Sequence, residues 1–342
     1  MATPIQSDPS AEPGDDDVKA VAHLRKARER LRQEIGRVVV GQDTVLDHLL
    51  AALLCRGHAL MVGVPGLGKT LMAKTIASSL RMTFNRIQFT PDLMPSDIIG
   101  TDVIEEDPES GRRRLEFIEG PLFTHFLLAD EINRAPPKTQ AALLQAMQEQ
   151  EVSVGRRSYK LEPPFFVVAT QNPIEQEGTY PLPEAQLDRF MFNVPVVYPS
   201  PEEEVAIVKN TTANLDLQAR PVLDAGEVVR LQHVVRGVPV ADAVVRYAVD
   251  LAIASRPIAG KAEPRIHKFL TYGASPRASQ YLILGAKARA ILAGRFHVDF
   301  ADVRAVAPPV LRHRLVLNFH ARAEGIDADD LIRRLIEAVP AK

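Results

Sequence analysis

The chain has 342 residues, 46% hydrophobic and 25% charged. At ~150 residues per domain, that allows about two globular domains with a core that needs no covalent staples. Lys and Arg number 41 against 43 Asp and Glu, a net charge of −2, which argues against a protein that coats DNA while leaving room for a local basic patch.

The single cysteine, Cys55, excludes an intramolecular disulfide framework. It sits in the longest strictly apolar run, Leu49–Cys55, which falls far short of the ~20 residues that span a bilayer. Residues 1–17 are rich in Pro, Ser and Asp with no apolar centre. They read as a disordered tail rather than a secretory signal, and the expectation is a soluble cytoplasmic protein.

In chain order, Val21, Leu24, Ala27, Leu31 and Ile35 recur at spacings of three and four, which predicts a helix over residues 18–36 ending at Gly36. A second helix is expected over about Gln42–Arg56. Short apolar runs then alternate with helical patterns. Strands are expected at Ala59–Val62, Ile87–Thr90, Phe126–Ala129, Phe165–Ala169 and Phe192–Val197, and helices at Leu71–Leu80 and Pro137–Gln150. Such alternation predicts an α/β fold with a parallel sheet between helices, whose ligands bind beyond the carboxyl ends of the strands.

Two segments break the alternation. Thr101–Ile118 reads as a hairpin turning through Asp107, Pro108, Ser110 and Gly111, and Glu151–Leu161 as a second turning at Gly155. Pro199 and Pro201 mark a boundary. The expected organisation is a tail (1–17), a helix (18–36), a core (37–200) and a helical C-terminal domain (201–342).

The run Gly63-Val64-Pro65-Gly66-Leu67-Gly68-Lys69-Thr70, followed by Leu71, fits the phosphate-loop pattern between a strand and a helix. Its glycines let main-chain N–H groups converge on phosphate oxygens at a helix N-terminus. Lys69 would reach the β- and γ-phosphates and Thr70 would ligate Mg²⁺. The apolar strand Phe126–Ala129 ends in Asp130 and Glu131. Asp130 suits a Mg²⁺ ligand and Glu131 a base for an attacking water; Glu131 favours hydrolysis over transfer. Asn172, at the polar tip of another apolar strand, is placed to bond a γ-phosphate or that water. Arg189 follows a Pro-rich loop and Arg277 opens a helix; a permanent charge on a planar fork suits phosphate at either place.

Taken together, these motifs resemble the AAA+ ATPases of the MoxR family over about Gly36–Ala323. Phe89–Asp97, Asp130–Ala135, Gln171–Pro173 and Pro183–Phe190 strengthen the likeness. The resemblance implies an AAA+ phosphate-loop core with two inserted hairpins and a helical lid. It also implies Val40 and Gly41 beside the adenine, and the run through Leu71 around the phosphates. Asn172 would be sensor 1, Arg189 an arginine finger acting on a neighbour's ATP, and Arg277 sensor 2, in a ring that is usually hexameric. ATP and Mg²⁺ are the implied cofactors.

The resemblance further implies remodelling or chaperoning of other proteins, in the manner of relatives that work with von Willebrand factor A domain proteins or assist metal insertion. Other readings stay open. Arg112, Arg113 and Arg114 on one hairpin and Arg156, Arg157 and Lys160 on the other could line a pore that grips nucleic acid by its phosphates, or could be solvated turn charge. Tyr159 and Phe117 are the only aromatics near them for base stacking. A magnesium-chelatase-type subunit and a nucleotide-gated scaffold with little turnover also fit.

Overall fold

The computed structural model describes residues 15–106, 113–175, 178–213, 217–257 and 264–341. Most of the expected tail and the tip of the first hairpin, Arg112 included, lie outside the described residues. The chain forms two compact units. One comprises residues 31–49 and 56–229, the other 15–30, 50–55 and the described residues from 230 onward.

Two helices come first, α1 (Asp15–Gly36) and α2 (Asp43–Leu54). Asp15–Asp17, expected in the tail, belong to α1. Then follow β1 (Ala59–Val62), α3 (Lys69–Ser79), β2 (Phe84–Gln88), α4 (Pro95–Ile99), β3 (Gly100–Glu106) and β4 (Arg113–Glu119). Next are β5 (Phe126–Asp130), α5 (Pro137–Glu149), β6 (Glu151–Val154), β7 (Arg157–Lys160), β8 (Phe166–Gln171), α6 (Glu184–Leu187), β9 (Phe192–Pro195) and α7 (Pro201–Thr212).

Five strands form one parallel sheet in the order β2-β5-β8-β1-β9. Every residue of β5 is buried, as a strand covered on both faces requires. Register sets Gln88 beside Asp130 and Val62 beside Gln171, so four carboxyl ends open on one edge. The strand expected at Ile87–Thr90 runs over Phe84–Gln88 instead. β2 is an edge strand, so Asn85 and Arg86 can join the ladder without entering the apolar interior.

Leu60, Leu127, Ala129, Val167 and Ala169 pack with Leu143, Leu144 and Met147 of α5 in one apolar cluster. A buried polar residue, His58, is satisfied on both ring nitrogens. Nδ1 accepts from the Val167 N–H at 3.0 Å, so Nε2 donates to the Met147 carbonyl at 3.0 Å. Both inserted hairpins form, β3 with β4 and β6 with β7, the latter turning at Gly155.

The second unit contains α8 (Ala225–Gly237, from residue 230), α9 (Asp242–Ala254), α10 (Pro264–His267), β10 (Leu270–Tyr272), α11 (Pro276–Leu292) and α12 (Phe300–Leu311). β11 (Val316–Leu317), α13 (Phe319–Ala323) and α14 (Ala328–Ala338) complete it. α7 groups with the first unit, and the division falls at Val229–Arg230, beyond the Pro199–Pro201 boundary. Residues 50–55 belong with the later helices for a visible reason. Gln232 Nε2 donates to the Leu53 carbonyl at 2.7 Å and Cys55 Sγ to the Leu284 carbonyl at 3.1 Å. Burial pushes the Cys55 thiol up to about 12, so it stays a protonated apolar filler. Between α11 and α12 the fully buried Asp302 is held by Arg289 and Arg295, each at 2.6 Å.

Candidate functional site

The loop from Gly63 to Gly68 joins the end of β1 to the start of α3. Gly68 sits immediately before the helix at φ +72°, a left-handed conformation that glycine adopts without cost. The helix therefore begins at Lys69 and not at Leu71 as expected, and Thr70 falls in its first turn. Lys69 Nζ bends back onto the loop, donating to the carbonyls of Gly63 at 2.5 Å and Val64 at 2.9 Å. Burial lowers its pKa, and the charges of Asp130 and Glu131 partly counter that.

Pro65, Gly66, Leu67, Gly68, Lys69, Thr70 and Leu71 border a cleft of about 460 Å³. Its other walls are Asp130 and Glu131 at the end of β5, Thr170 and Asn172 at the end of β8, and Arg86 and Gln88 on β2. One cleft thus gathers the expected lysine, hydroxyl, two carboxylates and amide. It lies beyond the carboxyl ends of a parallel sheet, where such sheets bind ligands.

Both oxygens of Asp130 are engaged. Oδ1 accepts from the Thr170 hydroxyl at 2.5 Å, and Oδ2 accepts from Arg86 Nε at 3.0 Å and Nη2 at 2.8 Å. Thr170 Oγ1 in turn accepts from the Glu131 N–H at 2.9 Å. This bond helps hold Glu131 at φ +57°, an uncommon backbone conformation for a residue with a side chain. Glu131 Oε2 accepts from Gln88 Nε2 at 2.7 Å and from Arg134 Nη1 at 3.3 Å. Gln88 Oε1 accepts from Arg86 Nη2 at 2.7 Å, which fixes the orientation of the Gln88 amide.

Sequence reasoning missed Arg86, Gln88, Thr170 and Arg134. A signal was present in the alternation Arg86-Ile87-Gln88-Phe89, which puts two polar side chains on one face of a strand. Only the register with β5 shows that this face meets the carboxylates.

Asn172 is buried, and its Oδ1 accepts from the Ile174 N–H at 3.1 Å. That bond sets the amide plane and leaves the NH₂ as the group that can donate. Among the described residues, the cleft lining does not include Val40, Gly41 or Arg189. Gly41 lies at φ +70°, a conformation that favours glycine, with the Glu203 carboxylate beside its Cα. Gln42 Nε2 fastens this loop to the Val197 carbonyl at 2.9 Å. Arg189 follows α6 and is half-buried; Arg277 stands in the other unit, in the first turn of α11.

On the first hairpin, Arg113 and Arg114 are paired. Arg113 meets Glu106 at 3.2 Å, and Arg114 meets Glu105 at 2.8 Å and Glu116 at 3.4 Å. Phe117 stacks on Tyr159 with ring centroids 4.1 Å apart and meets Phe123 edge-on, so these aromatics join the hairpins to each other and to the core. Among the described residues, no helix is long and apolar enough to cross a membrane.

Residues 58–192 match the ATPase family associated with various cellular activities (AAA), and residues 262–335 match the AAA lid domain. The chain is 46% identical to Chaperone MoxR1 of Mycobacterium tuberculosis, over 91% of this chain and 81% of that protein. It is 33% identical to Protein MoxR of Methylorubrum extorquens, over 93% and 96% respectively. The crystal structure of a candidate ATPase from Cytophaga hutchinsonii superposes with a TM-score of 0.86 at 39% identity, covering 94% of this chain and 97% of that one. With the cleft, the sheet order and the two inserted hairpins, these likenesses place the chain in one family: it belongs to the MoxR-type AAA+ ATPases.

Proposed function

We propose that this ATPase works as a ring, usually hexameric in this fold class, that uses ATP turnover to remodel or chaperone partner proteins. The observation that carries the reading is the single cleft holding Lys69, Thr70, Asp130, Glu131 and Asn172. A binding scaffold would need the lysine and the loop but not a second carboxylate beside the first.

In the proposed reaction Lys69 exchanges the carbonyls of Gly63 and Val64 for the β- and γ-phosphate oxygens. Main-chain N–H groups from Gly66 to Thr70 face the phosphates at the start of α3. Val40 and Gly41 would border the adenine. Glu131 accepts a proton from the attacking water, and the Asn172 amide orients that water or the γ-phosphate. Arg189 would reach the ATP of a neighbouring subunit, and Arg277 would report nucleotide state from the lid.

Thr70 and Asp130 fit Mg²⁺. Both offer hard oxygen donors at the cleft, and the carboxylate already draws a cation, the Arg86 guanidinium. When bound, the metal supplies divalent charge that neutralises the phosphate oxygens. A client is proposed among complexes that need assembly or metal-cofactor maturation, with a von Willebrand factor A domain protein as partner. The chaperone name of the mycobacterial relative supports this direction. The glutamates that neutralise Arg113 and Arg114 weigh against a nucleic-acid grip.

The test is affinity capture from native extract with Glu131→Gln held in Mg·ATP, against Lys69→Ala. Retention by the ATP-held form alone of a von Willebrand factor A domain protein, or of an enzyme awaiting assembly, is expected. Retention of nucleic acid with replication or repair proteins would overturn the remodelling reading.

A further inference from the structure

The Asp130 carboxylate is buried, with its side chain 11% exposed, while the Arg86 side chain is 47% exposed. Two guanidinium donors converge on one oxygen, Oδ2, and the other oxygen is taken by Thr170. The ammonium of Lys69 acts on Asp130 through its charge alone, since Nζ makes its hydrogen bonds to main-chain carbonyls. Arg86 is therefore the cation that lies on Asp130. It comes from an edge strand outside the phosphate loop, and no motif of the sequence predicts it.

The same guanidinium reaches the second carboxylate indirectly. Arg86 and Gln88 stand two residues apart on β2, on the same face of the strand. Arg86 Nη2 donates to Gln88 Oε1, and Gln88 Nε2 donates to Glu131 Oε2, each at 2.7 Å. An unbroken hydrogen-bonded belt thus runs Asp130–Arg86–Gln88–Glu131. A change at either carboxylate is felt at the other through a pair of side chains on one short strand.

We propose that Arg86 is a positioning residue that stands in for the divalent cation: it holds Asp130 until a metal ion competes it away from Oδ2, and its departure loosens Gln88 on Glu131. This inference rests on the assignment of Asp130 to the metal. Two consequences follow. Metal affinity is set by competition with a guanidinium, so removal of that charge tightens metal binding. Arrival of the metal is coupled to release of the Glu131 oxygen, so the carboxylate is freed only when the phosphates are ready for attack.

The experiment is a Mn²⁺ titration followed by electron paramagnetic resonance on protein loaded with one equivalent of ADP, comparing wild type, Arg86→Met, Arg86→Lys and Asp130→Asn. Thermal melts run alongside select variants that are folded. Arg86→Met is expected to bind Mn²⁺ about tenfold more tightly than wild type, the scale of a half-exposed charge-assisted pair. Arg86→Lys is expected to stay near wild type, which keeps the test alive if the methionine variant does not fold. Mn²⁺ affinity that is unchanged or weaker in Arg86→Met, with Asp130→Asn strongly impaired, would overturn the stand-in role and leave the metal assignment intact. Equal binding by wild type and Asp130→Asn would overturn the metal assignment itself.

Discussion

Gln88 Nε2 donates to Glu131 Oε2 across 2.7 Å, and Gln88 is also the register partner of Asp130. The oxygen proposed to take a proton from water is thus already hydrogen-bonded, and Arg134 Nη1 adds a second donor at 3.3 Å. An oxygen so occupied must give up a donor before it can accept a proton from water. Gln88→Ala is expected to raise basal phosphate release. One net hydrogen bond, about 0.5–1.5 kcal/mol, corresponds to roughly a two- to tenfold gain. Steady-state phosphate assays check this. A fall in turnover would show that Gln88 aligns Glu131 for attack and does not restrain it.

Glu131→Gln keeps the shape of the side chain and removes its basicity. Turnover is expected to drop by about 10²–10⁴, with ATP affinity kept, because Lys69 and the glycine loop are untouched. Binding of a fluorescent ATP analogue and phosphate release, measured on the same preparation, separate the two effects. Near-wild-type turnover would remove Glu131 from the reaction.

Arg189 is half-buried beyond α6 and does not line the cleft of its own chain. A trans role predicts that Arg189→Ala binds ATP normally and loses about 10³-fold or more in rate, the scale of an arginine finger. Mixing inactive Arg189→Ala subunits with inactive Glu131→Gln subunits is expected to restore part of the activity. The mixed ring contains sites with an intact base and an intact finger. No recovery on mixing would count against a finger supplied by a neighbour.

The sequence made the phosphate loop, Asp130, Glu131 and Asn172 legible because each is local. A short apolar run ends, and a polar residue of a particular kind follows. The fold was legible for the same reason, since alternation of strand and helix patterns forces a parallel sheet. The partners of those residues were not legible. That Arg86 meets Asp130 and Gln88 meets Glu131 depends on the strand order β2-β5-β8 and on a register that no local pattern encodes. The charge balance of the first hairpin was not legible for a related reason. Arg113 and Arg114 are consecutive in sequence, but their glutamates stand on the opposite strand. Likewise, Leu50–Cys55 continues α2 in sequence, yet it belongs to the other unit through bonds to Gln232 and Leu284.

His58 makes folding sensitive to acid in a way that can be isolated. Desolvation pushes its pKa from 6.5 down to about 4, only partly opposed by the bond to the Met147 carbonyl. Protonation would also place a donor on Nδ1 against the Val167 N–H. The unfolded chain binds the proton more readily than the folded one. Its contribution to stability is therefore fully present above pH 6.5 and is lost as pH falls toward 4. The whole contribution is about 3 kcal/mol, of which about 2 kcal/mol is lost by pH 5. Urea unfolding at pH 7.5 and pH 5.0 tests this against His58→Gln, whose amide can donate to Met147 and accept from Val167 without titrating. Wild type is expected to lose about 2 kcal/mol more than the variant over that interval, because all other groups titrate alike in both. Equal losses would mean that the acid sensitivity of the fold lies elsewhere.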